Sequence, residues 1–586
     1  MVVVIDCNMI ITLIKSMRIC RMFKIYKNEK LKSFLSIFVS SQQNAVSFNK
    51  NIDTVVAERS NHLLRHTFTS RLLLYLRNVN DRNFKKYKRV LNQKPALTAV
   101  VLNESLKLKT NDLTVTDITN AILKLKLNSK QMLNAMDVLC SSYVKDLTTE
   151  EQFYILYTFI NVISNRVTHL KFYQAAIHHI QEDIKFIKKS DLLQLIFFIG
   201  LNKKSNKPTM KKCLKQLYKM EIIKELNVNE LCIVCHAAFK TSTKIRNEEL
   251  LDKVKETINN NLTILKDPAL FVTFIKTLRH NQFQDDDILS TITYTILFNK
   301  TIDCYSFVEI CHILALYSDY MYYEQPILKV CVETGIRQLK EYDKNIDKVI
   351  RMKDIKRFLW AVSYIGYDKF DSSWCRNVIV PRIIQKIKNR EYKCDTESIV
   401  ECILYLWMLD CKAVELFPYV LTPTSVQQIR EQKSRCKYRL NLLLSAIQFE
   451  DREMYKNLNI KPQGEDYDLN YQIQNRPVLL RIHENLKLLS KTSSLNVFEI
   501  NFQIPYLNIA GITGFKNNIY KAVNIEILDE YTSVKKKFCY PSGLMQLKLR
   551  MLRTMSEPVV TICQEEIQDM SDLELQNYLK EELEFV

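Results

Sequence analysis

The scarcity of glycine constrains this chain more than any other feature of its sequence. Only seven glycines occur in 586 residues, and four of them lie after residue 460. Sheets and tight turns use glycine, whereas helix interiors exclude it. The hydrophobic content of 47% is sufficient for packed cores. We therefore predict a mostly α-helical protein in which any other structure is confined to the C-terminal part.

Helix-start signals recur along the middle of the chain. A polar capping residue precedes an apolar helical run at seven positions, namely Thr149, Asp191, Asn229, Asp267, Asp303, Asp354 and Asp395. The intervals between them are 42, 38, 38, 36, 51 and 41 residues. A period of about 40 residues that holds two helices is typical of an α-solenoid. The pattern predicts a helix-pair solenoid over residues 60–345.

The chain carries a large excess of positive charge. Lysine and arginine outnumber aspartate and glutamate by 84 − 64 = 20, and the pI is about 9.1. This balance favours a polyanionic partner. Lys211, Lys215 and Lys219 are four residues apart and form one helical row that could follow a phosphate backbone. A second basic run, residues 351–393, contains eleven basic and four acidic residues.

The first 45 residues have the composition of a mitochondrial presequence. Seven cations occur among apolar residues between positions 15 and 32, and Asp6 and Glu29 are the only acidic residues before position 50. We expect residues 1–45 to direct the protein to the mitochondrial matrix. No uninterrupted apolar run is long enough to span a bilayer, so we expect no membrane span.

The sixteen cysteines are scattered, mostly on apolar helical faces. This distribution predicts buried free thiols in a reducing compartment rather than a disulfide framework. Cys232, Cys235 and His236 match the haem-attachment pattern C-x-x-C-H, but the run around them reads as a buried helix. We interpret both thiols as core residues.

The C-terminal residues 518–583 have the richest pattern. An alternating strand over residues 523–528 ends at Asp529, and a basic loop of Lys535, Lys536 and Lys537 follows. Gly543 then precedes an amphipathic helix, and a second apolar strand covers residues 559–563. This order resembles the RAP domain, a small RNA-binding module with a restriction-endonuclease-like α/β fold. The matching positions are Glu526, Asp529, Gly543, Lys548, Arg550, Leu552, Val559, Val560, Ile562 and Glu566.

Two further segments resemble the FAST modules that precede a RAP domain. The first, residues 346–425, contains Trp360, Tyr364 and Tyr367, and the second, residues 430–515, begins with a leucine run that ends in an acidic pair. The order of the three segments resembles the FASTK family (Fas-activated serine/threonine kinase and its domain-containing relatives). The resemblance implies a mitochondrial RNA-binding protein that regulates the processing, stability or translation of organellar transcripts, together with other RNA-processing proteins.

Kinase chemistry is excluded, because the sequence contains no G-x-G-x-x-G loop, no P-loop and no H-R-D or D-F-G set. We instead expect phosphate contacts from basic residues of the lysine row and the C-terminal module. These residues are Lys211, Lys215, Lys219, Lys535, Lys536, Lys537, Lys548, Arg550 and Arg553.

Two alternatives remain open at this point. In an RNA endonuclease, Glu526, Asp529 and Glu566 would hold Mg²⁺ and Lys548 would position the attacking water. However, no D/E-x-K triplet lies on the predicted strand, so we expect neither catalysis nor a metal or other cofactor. A solenoid that only scaffolds other proteins would be favoured if the basic residues failed to gather on one surface.

The presequence hypothesis predicts that residues 1–60 fused to a fluorescent reporter enter the mitochondrial matrix, because basic, acid-poor amphipathic segments are recognised for import. Fluorescence microscopy with a matrix marker measures this. A reporter that stays diffuse in the cytosol would contradict the hypothesis.

Overall fold

The computed structural model describes most of the chain after residue 67. The described residues are 68–80, 91, 113–125, 130–202, 206–260, 267–298, 301–341, 350–389, 395–431, 436–464, 467–490, 495–516 and 520–584. The predicted presequence, residues 1–45, lies outside them. The chain divides into two compact units, residues 1–176 and 177–586, and the border falls within one helix.

The described part of the first unit is helical. Its helices are α1 (Phe68–Asn80), α2 (Val115–Leu123), α3 (Lys130–Tyr143), α4 (Thr149–Ile163) and α5 (Lys171–Glu182), the last of which contains the border. A reciprocal capping box begins α4: the Thr148 amide donates to Glu151 (2.8 Å), and the Glu151 amide donates to Thr148 Oγ1 (3.3 Å). The helix therefore starts where the predicted signal at Thr149 lies, but its cap uses the preceding threonine.

The second unit contains a longer series of helices before its sheet. They are α6 (Lys189–Leu201), α7 (Lys207–Lys219), α8 (Val228–Lys240), α9 (Glu248–Asn260), α10 (Pro268–Asn281), α11 (Asp286–Phe298), α12 (Phe307–Asp319), α13 (Gln325–Lys340), α14 (Met352–Tyr364), α15 (Ser372–Trp374), α16 (Val380–Lys388), α17 (Thr396–Met408), α18 (Phe417–Val420), α19 (Pro423–Glu431), α20 (Cys436–Glu450), α21 (Arg452–Leu458), α22 (Leu469–Asn475) and α23 (Pro477–Leu489). Within the described ranges, no helix combines the length and the apolar character needed to cross a membrane.

Seven of these helices form a stack that we call the first row. Helices α6, α8, α10, α12, α14, α17 and α20 pack in this order, each against the next. Helices α9, α11 and α13 pack beside them. The prediction of a mostly helical protein is confirmed. Asp267 and Asp395 cap α10 and α17 as the sequence indicates, whereas Asp303 lies in a 3-10 turn and Ser306 caps α12 instead.

Five consecutive first-row helices, α8 to α17, end in the same backbone motif. The residue after each helical end adopts a left-handed conformation, with φ between 50° and 68°; these residues are Ser242, Gln282, Met321, Gly366 and Asp410. The next amide then donates back to a carbonyl five residues earlier, as Tyr367 does to Val362 (3.2 Å). This Schellman geometry satisfies the last helical carbonyls. Its spacing of 40, 39, 45 and 44 residues marks a structural repeat.

The C-terminal part of the second unit contains a four-stranded mixed sheet. Its strands are β1 (Leu495–Asn501), β2 (Gly511–Lys516), β3 (Tyr520–Leu528) and β4 (Val559–Cys563), in that spatial order. The first two pairings are antiparallel, and β3 and β4 are parallel. Helices α24 (Gly543–Leu552), α25 (Gln564–Ile567) and α26 (Asp572–Glu584) complete the module. Because β1 and β2 precede residue 518, the sheet crosses the predicted border between the second FAST-like module and the RAP-like domain.

The two faces of β3 have different surroundings. Ile525 and Ile527 join an apolar core with residues of α23 and α26. Asn524 and Glu526 point to the opposite face, as strand alternation predicts. This second face meets α24, so a buried polar group here needs a partner on that helix.

Helix α24 fixes the sheet module to the first row, because it packs against α14, α17 and α20. Gly543 is required at the contact, since a Cβ atom there would lie 1.6 Å from the Ser363 carbonyl oxygen. The left-handed Gly366 presents its own carbonyl to this helix, where it accepts from Tyr540 Oη (2.9 Å) and Gln546 Nε2 (3.0 Å). Two glycines thus allow a close approach of two backbones.

We predict that Gly543→Ala loosens this contact, because the added methyl group overlaps backbone atoms that cannot rotate away. Hydrogen exchange should accelerate at the Lys535 amide, which donates to Met321 O across the same contact. Gly464→Ala is the control, since its Cβ would meet no atom within 4 Å. Its backbone strain should lower the free energy of unfolding by about 1–3 kcal/mol, but hydrogen exchange at the Lys535 amide should not accelerate. Equal exchange rates at the Lys535 amide in both variants would contradict the proposed role of Gly543 in this contact.

Candidate nucleic-acid interface

Lys548 lies inside the sheet module rather than on its surface. Its ammonium is 2.6 Å from Glu526 Oε2, and both side chains are 0% exposed. The pair closes the contact between α24 and β3. A phosphate cannot reach Lys548 in this arrangement. The buried position of Lys548 is therefore inconsistent with the RNA contact that the sequence predicted for it. The same burial removes Glu526 and Lys548 from any solvent-accessible metal site.

The other two carboxylates of the nuclease alternative are also engaged. Asp529 accepts from Arg476 Nε (2.7 Å), from the Tyr531 amide and from Thr532 Oγ1 (both 3.0 Å). Glu566 is exposed and accepts from Tyr578 Oη (3.2 Å). Among the described residues, these three carboxylates do not converge within metal-ligand distance of one another. The geometry therefore provides no support for a Mg²⁺ site built from them.

The basic loop after β3 is attached to the helical stack. The Lys535 amide donates to Met321 O (2.7 Å), and the Lys535 carbonyl accepts from the Tyr323 amide (3.1 Å). Lys537 pairs with Asp368 (3.0 Å) and lies 3.4 Å from the centroid of the Tyr540 ring. Of the three predicted contact residues, Lys535 and Lys536 have exposed side chains, whereas Lys537 is engaged within the protein.

Arg550 also serves an internal contact. Its guanidinium donates to the carbonyls of Trp407 (2.7 Å) and Met408 (3.2 Å) and to Glu450 Oε1 (2.6 Å). It thereby binds α24 to the ends of α17 and α20, where the helix dipole favours a cation. Arg553, one turn further, is exposed.

The predicted lysine row lies on helix α7. Lys211, Lys215 and Lys219 are exposed, while Cys213 and Leu217 are buried on the opposite face. The row is therefore a solvent-facing surface available to a polyanion.

A second group of basic residues gathers on the first row. We call it the cationic cluster; it consists of Lys240 on α8, Lys276 and Arg279 on α10, and Arg351 and Arg357 at the start of α14. These charges act on common neighbours: Lys276, Arg279, Arg351 and Arg357 all lower the pKa of His312. Residues from distant parts of the sequence therefore lie together on one side of the stack.

Lys276 is the least compensated member of this cluster. Burial, together with the positive charges of Arg357 and Lys240, lowers its pKa to about 8. Its ammonium lies 5.9 Å from the centroid of Phe239. Among the described residues, no carboxylate approaches it within 4.0 Å. An unpaired, half-buried ammonium is costly unless an anion binds beside it.

His312 occupies the centre of the cluster. Its Nδ1 lies 3.4 Å from Arg279 Nη1, and its Nε2 lies 3.3 Å from Arg357 Nη1. Burial and the surrounding positive charges hold the pKa of His312 well below its ordinary value. The imidazole is therefore neutral at physiological pH.

The carboxylates near the cluster neutralise it only in part. Arg351 makes a bidentate pair with the fully buried Asp354 (2.6 and 3.0 Å), and Arg279 donates to Asp319 (2.5 Å). Glu309 also acts on Lys276 but is engaged in the cap of α12. Four of these cations, Lys276, Arg279, Arg351 and Arg357, therefore face three carboxylates among the described residues, which leaves an excess of one positive charge (4 − 3).

Aromatic rings border the cluster. The Arg279 guanidinium lies 5.9 Å from the centroid of Trp360, and Trp360 and Tyr364 are 5.7 Å apart. Trp360 is half-buried and thus partly accessible. Cations beside an accessible aromatic ring are the combination that single-stranded nucleic acids bind.

Sequence reasoning missed most of this cluster. Lys240, Lys276 and His312 lie on consecutive first-row helices at intervals of 36 residues, about one helical turn less than the repeat spacing of 40 and 39, so it is the packing of these helices that brings them together. Arg351 and Arg357 lie in the basic run noted above. The sequence does not show which turns of neighbouring helices come into contact, and this information was needed to find the cluster.

The expectation of free thiols is correct for the helices and wrong for one pair. Cys232 and Cys235 are buried thiols within α8 and form no disulfide, as predicted. A disulfide joins Cys539, in the loop after the three lysines, to Cys563 at the end of β4. The two residues are 24 positions apart, and the sheet topology that unites them could not be read from spacing alone.

A comparison of the sequence with known family models gave no match, and a comparison with curated proteins gave none.

We predict that Glu526→Gln destabilises the protein by about 3–5 kcal/mol, because it removes the negative charge beside the fully buried Lys548 ammonium. The double variant Glu526→Leu with Lys548→Met should recover most of this loss, since both charges are removed together. Glu333→Gln, in the exposed pair with Lys329, is the control and should change stability by less than about 1 kcal/mol. Urea denaturation measures all three. A Glu526→Gln variant as stable as the control would show that the pair is not buried in solution.

Proposed function

We propose that this protein binds single-stranded RNA in the mitochondrial matrix and regulates the processing, stability or translation of organellar transcripts. Its partners are mitochondrial RNA and other RNA-processing proteins. The helical stack supplies the RNA-binding surface, and the C-terminal sheet module supports that stack.

The observation that carries this proposal is the cationic cluster beside Trp360. Cations from α8, α10 and α14 meet on one side of the stack, and their charge exceeds that of the nearby carboxylates. Excess cations attract the phosphate backbone, and an accessible ring can stack on a base. A protein that only scaffolds other proteins has no need to gather uncompensated cations, so the arrangement favours RNA over that alternative.

We also propose that the C-terminal module has a RAP-like fold and that the stack is a helix-pair α-solenoid. The support for the RAP-like fold is the parallel pair of β3 and β4, which is connected through α24. The support for the solenoid is the first row with its repeated helix ends. In this account the module binds the stack through Gly543 and Arg550, so its role in RNA binding is indirect.

We predict that wild-type protein binds single-stranded RNA with a log–log salt slope of about −0.7 per phosphate neutralised. The triple variant Lys240→Gln, Lys276→Gln and Arg357→Gln should flatten the slope by about 2, because three cations leave the surface. Fluorescence anisotropy at several salt concentrations measures this.

The matched comparison is Lys211→Gln, Lys215→Gln and Lys219→Gln, which removes the same charge from the exposed row on α7. A smaller change in this variant places the main RNA path at the cluster. Salt-insensitive or absent binding by the wild type would refute the proposed function.

A further inference from the structure

We propose, on the basis of the proposed function, that Lys276, Arg279 and Arg357 around His312 form a seat for one phosphate group of the bound RNA. The seat is a specific part of the cationic cluster. It would hold one phosphate at a fixed position beside Trp360, whereas the other cations act through long-range attraction.

The hydrogen-bond geometry at His312 is the first argument. A guanidinium N–H points towards each ring nitrogen, at 3.4 Å and 3.3 Å. A neutral imidazole has one acceptor nitrogen, and its other nitrogen carries a hydrogen. One of the two guanidinium groups therefore faces an N–H donor and cannot bond to it. An anion between the guanidinium groups would accept the hydrogen bond that the imidazole cannot.

The distribution of countercharge is the second argument. Asp354 lies 3.4 Å from Arg357, but the shorter bonds of its carboxylate are to Arg351. Lys276 has no carboxylate within 4.0 Å among the described residues. In addition to burial, the charge of Arg357 contributes to the lowered pKa of Lys276, and the charges of Arg279 and Arg351 contribute to the lowered pKa of Arg357. Arg357 therefore shares one carboxylate with Arg351, and Lys276 lacks a close countercharge of its own.

The seat is accessible from solvent. The exposed fractions of the side chains are 18% for Arg279 and 28% for Arg357, so a ligand can contact both without unfolding the stack. Two planar guanidinium forks and an ammonium match the oxygen geometry of a phosphate. Trp360 adjoins Arg279, so the base next to a seated phosphate could stack there.

Two kinds of phosphate in RNA share this chemistry. A backbone diester carries one negative charge, whereas a 5′-terminal monoester carries about −1.5 to −2 at neutral pH. Either would stabilise the charged form of Lys276. Comparison of 5′-phosphorylated and 5′-hydroxyl RNA of one sequence distinguishes them.

The first experiment uses inorganic phosphate as the probe and needs no RNA. Phosphate should raise the Tm of the wild type, because an anion that binds only the folded state stabilises it. Lys276→Met should abolish this rise. The same variant should have a higher Tm than the wild type without phosphate, since it removes a repelled, half-buried cation and keeps a similar shape. Lys276→Arg should retain the phosphate response.

The second experiment measures RNA affinity by anisotropy at constant salt. Lys276→Met should weaken binding about tenfold, the scale of one charged hydrogen bond to phosphate. Lys329→Met is the matched control, since Lys329 is an exposed lysine on α13 and should change affinity by less than about twofold. A tenfold loss with only the 5′-phosphorylated RNA assigns the terminal phosphate, and an equal loss with both RNAs assigns the backbone.

The two experiments separate this inference from the proposed function. A wild type that binds RNA while Lys276→Met behaves like Lys329→Met in both assays would overturn the seat and leave RNA binding intact. A phosphate-dependent rise in Tm that Lys276→Met abolishes, in a protein without affinity for RNA, would retain the seat and overturn the proposed function.

Discussion

The left-handed turn that ends five consecutive first-row helices, from α8 to α17, is the constraint on which the second unit depends. Each turn bonds the last helical carbonyls and redirects the chain within two residues. The next helices can then pack beside the first row without leaving buried polar groups unsatisfied. At four of these turns the left-handed residue is Ser, Gln, Met or Asp rather than glycine. This explains how a chain with seven glycines makes a repeated fold, at a cost of about 1–2 kcal/mol for each such turn.

The C-terminal module depends on the stack in turn. Its helix α24 approaches α14 at the pair Gly366 and Gly543, and Arg550 binds the carbonyl ends of α17. The basic loop after β3 uses its backbone and Lys537 for the same attachment. Much of the positive charge that marks this module in the sequence thus neutralises acidic or carbonyl groups inside the protein. The least compensated cations lie elsewhere, on α10 and α14.

The sequence predicted the local structure well and the tertiary contacts poorly. Caps at Asp267 and Asp395 and the alternation of β3 are local, so short windows were sufficient to find them. The pairing of β1 with β2 uses residues before position 518, so the sheet extends across the border that the sequence predicted between two modules. In the sequence, a basic residue that contacts RNA cannot be distinguished from one that contacts a buried carboxylate, as Lys548 does. Only the packing of α8, α10 and α12 against one another brings Lys240, Lys276 and His312 together.

The central claim is that RNA lies on the first row of helices beside Trp360. Ultraviolet crosslinking in isolated mitochondria, followed by mass spectrometry of the RNA-linked peptides, tests it most directly. The account predicts crosslinks in α14 at or near Trp360 and in the adjoining α10, with organellar transcripts attached. Crosslinks confined to the C-terminal sheet module, or no RNA-linked peptides from the protein, would contradict the account.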